Sequence, residues 1–270
     1  MNAIKNKIGS REGASISFAL LAFLVCAVIS SVVIVAGSTA AGRMSQIAQS
    51  DQRYYAVNSA AELLGSTLDW SVGGQVVSKA VVKTKSVTYD VNGEKTGESS
   101  EAISSAFFSE DISDIVDVEE AILNHEITPV EKGYSLLIDA AYAWSEFIDT
   151  GDQTKLPNAK KMQLTATSGE DAVDTALAVD IYETLDINGT LTFDVSKKMK
   201  KADGTEMPNA AYTLRLTFAA DIKNNTASKT QHGTPSKTDG STTDITTETT
   251  KTVIKWTLID IVKSTVPQST

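Results

Sequence analysis

The chain lacks most of the residues on which catalytic and metal sites depend. Its 270 residues include one cysteine, Cys26, and two histidines, His125 and His232. A single cysteine excludes a disulfide within the chain, and the two histidines form neither a His–Glu–His zinc motif nor a Cys/His cluster. Serine-nucleophile, phosphate-loop and dinucleotide-binding glycine patterns are also missing. We therefore expect no enzyme activity, no cofactor and no metal site.

The chain also lacks an excess of positive charge. Its formal net charge is −10 and its isoelectric point is near 4.8. Phosphate groups are repelled by such a surface, which disfavours nucleic acid as a partner. Nothing in the sequence predicts a small-molecule substrate either, so the informative features are those of architecture and location.

Charge is missing altogether from one long segment. No charged residue occurs between Gly13 and Gly42, a stretch of about 30 positions. The hydrocarbon core of a bilayer needs only about 20 helical residues, whereas the apolar part of a signal peptide usually has about 7 to 15. We therefore predict a transmembrane helix over residues 13–42.

The flanking charges predict the orientation of this helix. The leader, residues 1–12, carries Lys5, Lys7 and Arg11 against a single acidic residue, Glu12. Positive charge on the short leading side places the N-terminus in the cytoplasm. The sequence thus predicts a single-pass protein of the cell membrane, with the bilayer as a partner and a C-terminal head outside the cytoplasm.

Two kinds of processing compete with a retained anchor. Small residues from Ser38 to Ala41 would allow signal peptidase to cut after Ala40, although the apolar run is long for a signal peptide. Lipoprotein processing at Cys26 is excluded, because large apolar residues precede the cysteine and the apolar run continues to Val35.

The segment after the membrane helix has helical periodicity. Residues 43–69 contain no proline, and their apolar residues recur at spacings of three, four and seven. These are Met44, Ile47, Ala48, Tyr54, Tyr55, Ala61, Leu64 and Leu68. We predict an amphipathic extension that forms one helix from Gly13 to Leu68; the alternative is an anchor and a separate surface helix, since Gly37 and Gly42 could bend the chain.

A basic leader, a glycine, an apolar helix and an amphipathic extension together resemble type IV pilin-like proteins. The similarity is greatest to the pseudopilins of tight-adherence (Tad) pili, whose start reads roughly Gly-Ala-x-x-Val-Glu-Phe-Ala-Leu. Here Gly13, Ala14, Ser15, Ile16, Ser17, Phe18, Ala19 and Leu20 stand in the matching stretch. Ser17 replaces the family's glutamate, and the spacing from the glycine is one residue shorter. The resemblance covers about the first quarter of the chain.

This resemblance implies two roles for N-terminal residues. A prepilin peptidase would cut after Gly13, with Gly9 as the second choice, and Ser17 would stand where the family aligns its subunits. Small residues near the end of the apolar helix permit close helix packing, or else mark the exit from the membrane. They are Ala36, Gly37, Ser38, Ala40, Ala41 and Gly42.

The head, residues 70–270, begins with a hairpin pattern and continues with acidic segments. Val76 to Tyr89 is rich in β-branched residues and is followed by the turn signal Asn92-Gly93. Glu101 to Asp149 is predicted to form two acidic helices, the second over Ser135 to Ile148. Asp111, Asp114, Asp117 and Glu120 recur every three residues, which indicates a solvated helix face rather than a metal site.

The rest of the head is predicted to be mostly sheet. From Lys160 onward, five segments rich in β-forming residues are separated by short turns, which predicts an antiparallel meander. Residues 224–250 interrupt it with a Thr/Ser-rich run that has few apolar side chains, and we expect a flexible excursion there. The predicted fold class is therefore α+β, with the N-terminal and acidic helices as candidate covers for the sheet.

These features lead to a functional expectation. The chain is expected to be a structural, pilin-like membrane protein, a minor pilin or pseudopilin or an assembly component of a surface filament or secretion system. Its partners would be other pilin-like subunits, contacted through the N-terminal helix. The alternative is a membrane-tethered extracellular binding module for an unknown ligand.

Overall fold

The fold is that of a computed structural model, which describes residues 11–168, 172–200, 205–236 and 238–265. The chain divides into two units, Met1–Gln52 and Arg53–Thr270, and each is described by itself. Residues 1–10 of the predicted leader lie outside the described residues.

The N-terminal part of the chain is one long helix. Helix α1 spans Arg11–Leu68, so neither Gly37 nor Gly42 ends it, and the prediction of one helix from Gly13 to Leu68 is confirmed. It ends where Asp69 accepts a hydrogen bond from the amide of Ser71, at 2.9 Å, to cap a short 3-10 helix.

The second unit contains a seven-stranded sheet. Its strands are β1 Val76–Tyr89, β2 Lys95–Phe108, β3 Lys160–Ser168, β4 Ala172–Leu185, β5 Leu191–Lys200, β6 Glu206–Gln231 and β7 Thr242–Lys263. The order is β2-β1-β7-β6-β5-β4-β3, and every neighbouring pair is antiparallel. Strands β3 to β7 form the predicted meander, and the predicted hairpin β1–β2 joins it through β7.

One face of the sheet is closed by two helical segments. These are the last turns of α1, within the second unit, and a helix over Leu136–Thr150. The last turns of α1 contribute six residues that are less than a tenth exposed: Ala56, Val57, Ala60, Ala61, Leu64 and Leu68. The sheet contributes fully buried Phe193, Phe218 and Trp256 to the same cluster. This is the main hydrophobic core, and α1 is one of its covers.

The prediction of two acidic helices is only partly met. The first predicted helix is wrong over residues 101–108, which belong to β2, and only Val118–Leu123 forms a helix, α2. The second segment does form a helix, α3, over Leu136–Thr150. Phe107 and Phe108 show why the first helix fails: they lie in two separate hydrophobic clusters, because successive strand residues point to opposite faces.

The acidic loop between β2 and α2 covers the second face of the sheet, held there by two lysines of β7. Lys251 is buried and donates to the carbonyl oxygens of Ser113 and Ile115, both at 2.7 Å. Lys255 lies 2.8 Å from Asp111 and 4.2 Å from the centre of the Trp70 ring.

Two opposing effects act on the pKa of Asp111 in this contact. Partial burial raises the pKa of Asp111, but the hydrogen bonds from Lys255 and Ser113 outweigh it and lower the pKa to about 2. The carboxylate therefore stays charged, and paired with Lys255, throughout the neutral range.

The Thr/Ser-rich segment 224–250 is not an unstructured excursion. Its residues extend β6 and β7 into a long hairpin, from the pair Asn224–Thr252 to the pair Gln231–Ile245. Threonine hydroxyls meet across the strands at Thr226–Thr250, 3.2 Å apart, and Thr230–Thr246, 3.0 Å apart. The prediction failed because these strands continue from β-pairs in the core.

A glutamate is buried in the main core. Glu183 on β4 is fully buried, and neither carboxylate oxygen has a hydrogen-bond partner. Lys160 Nζ, on β3, is 3.7 Å from Oε2, too far for a hydrogen bond. Burial raises the pKa of Glu183; the charge of Lys160 opposes this shift and that of Asp139 on α3 adds to it.

The raised pKa predicts how stability depends on pH. The folded state holds the proton of Glu183 more tightly than the unfolded state, whose pKa is near 4.5. Stability from this group is therefore complete below that value and is lost as pH rises through the raised pKa. Replacing buried ionic groups by well-packed apolar residues of similar volume is often neutral or stabilises a protein by about 1–4 kcal/mol.

Glu183→Met should accordingly increase the free energy of unfolding at pH 7 by about 1–3 kcal/mol and by less at pH 4. The measurement is denaturant unfolding of the full chain in detergent, followed by tryptophan fluorescence. Glu248→Met, which removes an exposed carboxylate of β7, is the control and should change stability by less than about 0.5 kcal/mol. A pH-independent effect of Glu183→Met would contradict the assignment.

Candidate functional site: an exposed apolar helix

The most unusual surface of the described protein is the apolar part of α1 in the first unit. Eleven large apolar side chains between residues 20 and 35 are 46% to 74% exposed. They are Leu20, Leu21, Phe23, Leu24, Val25, Val28, Ile29, Val32, Val33, Ile34 and Val35. Soluble proteins rarely expose a contiguous apolar surface of this extent.

This helix meets the length and composition needed to cross a membrane. Among the described residues one helical segment does so, Ala19–Leu68, whose most apolar window has a mean hydropathy of 2.9 and no buried residue. The predicted span, residues 13–42, contains this apolar surface. By length and composition, the described chain thus has one N-terminal helix that is a candidate membrane span.

Three polar side chains within the span are satisfied by the helix itself. Ser31 donates to the carbonyl oxygen of Val28, and Ser38 donates to that of Ile34, both at 2.8 Å. Thr39 donates in the same way to Val35, at 2.8 Å. Hydroxyls bonded back to the preceding turn leave no free donor, which removes most of their cost in hydrocarbon.

The predicted packing residues lie on α1 as open surface. Ala36, Ala40 and Ala41 are exposed, and a Cβ atom added at Gly37 or Gly42 would meet no atom within 4 Å. The spacing 36–40 and 37–41 places small side chains on one side of the helix at successive turns. This surface therefore has room for a second helix at short range.

The two predicted processing and alignment positions lie near the start of the same helix. Gly13 and Ser17 are both within α1, whose first residue is Arg11. Gly13 precedes Leu20, the first residue of the exposed apolar surface, by seven positions, and Ser17 precedes it by three. The described backbone thus places both predicted positions in the helix that carries the apolar surface.

The predicted amphipathic stripe of residues 43–69 is only partly buried. Ala61, Leu64 and Leu68 are buried in the main core, whereas Met44, Ile47, Tyr54 and Tyr55 are half or more exposed. The buried face was missed in part because it uses alanines and Val57. Alanine is a weak hydrophobic signal in a sequence, although its small size is what allows the helix to approach the sheet closely.

An apolar cavity lies beside this part of α1 in the second unit. It has a volume of about 230 Å³ and is lined by helix residues Tyr55, Ala56, Ser59, Ala60 and Leu63 and by Leu164, Thr165 and Val179 of the sheet. None of its lining side chains is charged. Its chemistry suits contact with apolar groups and supplies no acid, base or nucleophile pair.

The acidic residues that recur every three positions do not converge. Asp117 caps α2 by accepting from the amide of Glu120, at 3.1 Å, and Asp111 pairs with Lys255. Over the described ranges, no three His, Cys, Asp or Glu side chains come close enough together to hold a metal ion. His232 is at the end of the β6–β7 hairpin, 3.0 Å from Asp244.

Comparison with known proteins adds little. No family model matches the chain, and no curated protein matches it. Among solved structures it is similar to the "InvG secretin domain beta-barrel from Salmonella SPI-1 injectisome NC-base", at 7% identity and a TM-score of 0.16. That match covers 72% of this chain and 64% of the other. A likeness this weak carries no argument about fold or function.

The open small-residue surface makes a testable prediction. Gly37→Leu combined with Ala41→Leu should leave the fold and membrane insertion unchanged, because a Cβ added at Gly37 would meet no atom within 4 Å and Ala41 is exposed. It should reduce association between helices at least about fivefold, because small-to-large changes block close approach. Association is measured by energy transfer between labels on Cys26, the single and exposed cysteine, in bilayers.

The matched control is Val32→Leu with Val33→Leu, which changes side-chain size among residues that are already large. This control should keep the energy transfer of the unmodified chain. Equal transfer in both double variants would show that the small-residue surface does not mediate association.

Proposed function

We propose that this chain is a structural, pilin-like membrane protein, anchored by α1 and carrying the second unit as an extracytoplasmic head. Its role is that of a minor pilin, pseudopilin or assembly component, recruited by lateral packing of N-terminal helices. The proposal covers a cytoplasmic N-terminus and processing after Gly13, as the leader charge and the resemblance to Tad pseudopilins suggest.

The observation that carries the proposal is the exposed apolar surface of residues 20–35. Such a surface is stable only when something apolar covers it, either lipid or another helix. The internal hydrogen bonds of Ser31, Ser38 and Thr39 suit both environments, because they leave no donor that requires water.

Lateral packing follows from the same surface. Between two helices in lipid there is little hydrophobic driving force, so association depends on close contact of small residues. The small residues from Ala36 to Gly42 supply that contact at the end of the predicted span. In a single chain Gly37 and Gly42 stay open, which leaves room at this surface for a helix of another subunit.

The anchor is tested by placing charge in the span. Val28→Arg combined with Val32→Arg puts two charges on one side of the helix, at a cost of about 2.5–3.5 kcal/mol each near the bilayer centre. The variant should be lost from membranes washed at alkaline pH, whereas the unmodified chain should remain.

The matched control is Met44→Arg with Ile47→Arg, because these residues are also apolar and exposed but lie outside residues 13–42. It should be retained like the unmodified chain. N-terminal sequencing of the native protein completes the test: a mature chain that begins at Ala14 agrees with processing after Gly13. One that begins at Ala41 would refute the anchor.

A further inference from the structure

One part of the sheet is a ribbon with a free edge on β6. Strand β5 pairs with β6 only as far as Phe218, and Gly189 in the turn before β5 lies against Ala220 and Ile222. Beyond these residues, β6 pairs with β7 alone among the described strands. Residues 223–231 are all exposed, so the outer edge of β6 presents its backbone N–H and C=O groups to solvent.

The opposite edge of the ribbon is β2. Within the described ranges this strand pairs along its length with β1 only. A single bridge covers its outer edge at the core end, where the amide of Val130 donates to the carbonyl oxygen of Phe107 at 2.8 Å. From Lys95 to Ala106 the outer edge of β2 is therefore free, like that of β6.

The free edges of β2 and β6 are aligned with each other along the strand direction. One row of paired residues runs Ser99–Ser86–Ile245–Gln231, and another runs Ser105–Val81–Thr250–Thr226. Residues 99–105 of β2 thus lie in the same rows as residues 226–231 of β6. A copy displaced sideways along the ribbon brings these two stretches together without a shift along the strands.

The strand directions also match. The ribbon has four strands, β2-β1-β7-β6, and each neighbouring pair is antiparallel. With an even number of strands the two outer strands run in opposite directions. A second copy in the same orientation therefore presents its β2 antiparallel to β6 of the first, which continues the hydrogen-bonding pattern of the sheet.

From these observations we infer that a second copy of this chain adds its β2 to the free edge of β6, so that the sheet continues from one subunit to the next. The backbone supplies the hydrogen bonds, as in other forms of strand addition. The contact joins two different surfaces, so it does not close a dimer and extends into an open chain of subunits. It needs neither the apolar helix nor a ligand.

Cysteine pairs across the two edges test this contact in the full chain in membranes, with Cys26→Ser as the background. Ser105→Cys with Thr226→Cys joins residues of one row, and Ser105→Cys with Ser228→Cys allows a two-residue shift on the same face. Within one copy these edges are about 14 Å apart, too far for a disulfide. Mild oxidation should give a ladder of multimers for at least one of the two pairs.

The matched control is Ser105→Cys with Ala227→Cys, since a one-residue slip turns the second side chain to the other face. It should give about tenfold less multimer than the best same-face pair. Mixing chains with Ser105→Cys alone and Thr226→Cys alone should give a dimer and no ladder. No ladder from either same-face pair, equal linking in the control, or a strong dimer from one single-cysteine chain alone would overturn the inference.

The Cys26 label distinguishes a failure of the strand contact from a failure of the proposed function. If the ladder is absent while energy transfer between Cys26-labelled chains persists, the strand contact is wrong and helix packing stands. If the ladder forms in the Cys26→Ser background while chains labelled at Cys26 show no energy transfer, the strand contact stands and helix packing is wrong.

Discussion

The second unit depends on the contact between the last turns of α1 and the sheet. Phe193, Phe218 and Trp256 are fully buried on the face that this helix segment covers together with α3. The contact is close because the helix offers small residues: an added Cβ at Gly65 would lie 3.4 Å from Leu258. Residues 56–68 of α1 are thus not a spacer; they are a structural element of the second unit.

Strand β7 joins the two faces of the head. Ile254 and Trp256 point into the main core, whereas Lys251 and Lys255 alternate with them and hold the acidic loop on the other face. A buried lysine is stable there because its ammonium group donates to two carbonyl oxygens. This arrangement explains why a loop rich in aspartate lies against a sheet without forming a long helix.

Much of this architecture could be predicted from the sequence, and the failures have physical causes. Turn signals such as Asn92-Gly93 located the first hairpin, since Gly93 adopts a positive φ of 80° that glycine tolerates best. The uncharged run from Gly13 to Gly42 identified the candidate span. The helix predicted near Glu101 failed because the apolar spacing from Ile103 to Ile122 combines a strand, a loop and the short α2. The row alignment of β2 and β6 depends on tertiary pairing, so no local pattern could indicate it.

The Thr/Ser-rich hairpin shows the limit of judging order by composition. A segment that cannot bury apolar surface is expected to stay disordered, because nothing offsets the conformational entropy that it loses on ordering. Here β6 and β7 are already aligned in the core, through pairs such as Ala220–Trp256. Further pairs add backbone hydrogen bonds without a new loop to close, and the pairs Thr226–Thr250 and Thr230–Thr246 add hydroxyl contacts. The hairpin is therefore ordered because its strands are already paired in the core. A neighbouring chain can bind such a strand through the backbone groups of its edge rather than through a side-chain surface.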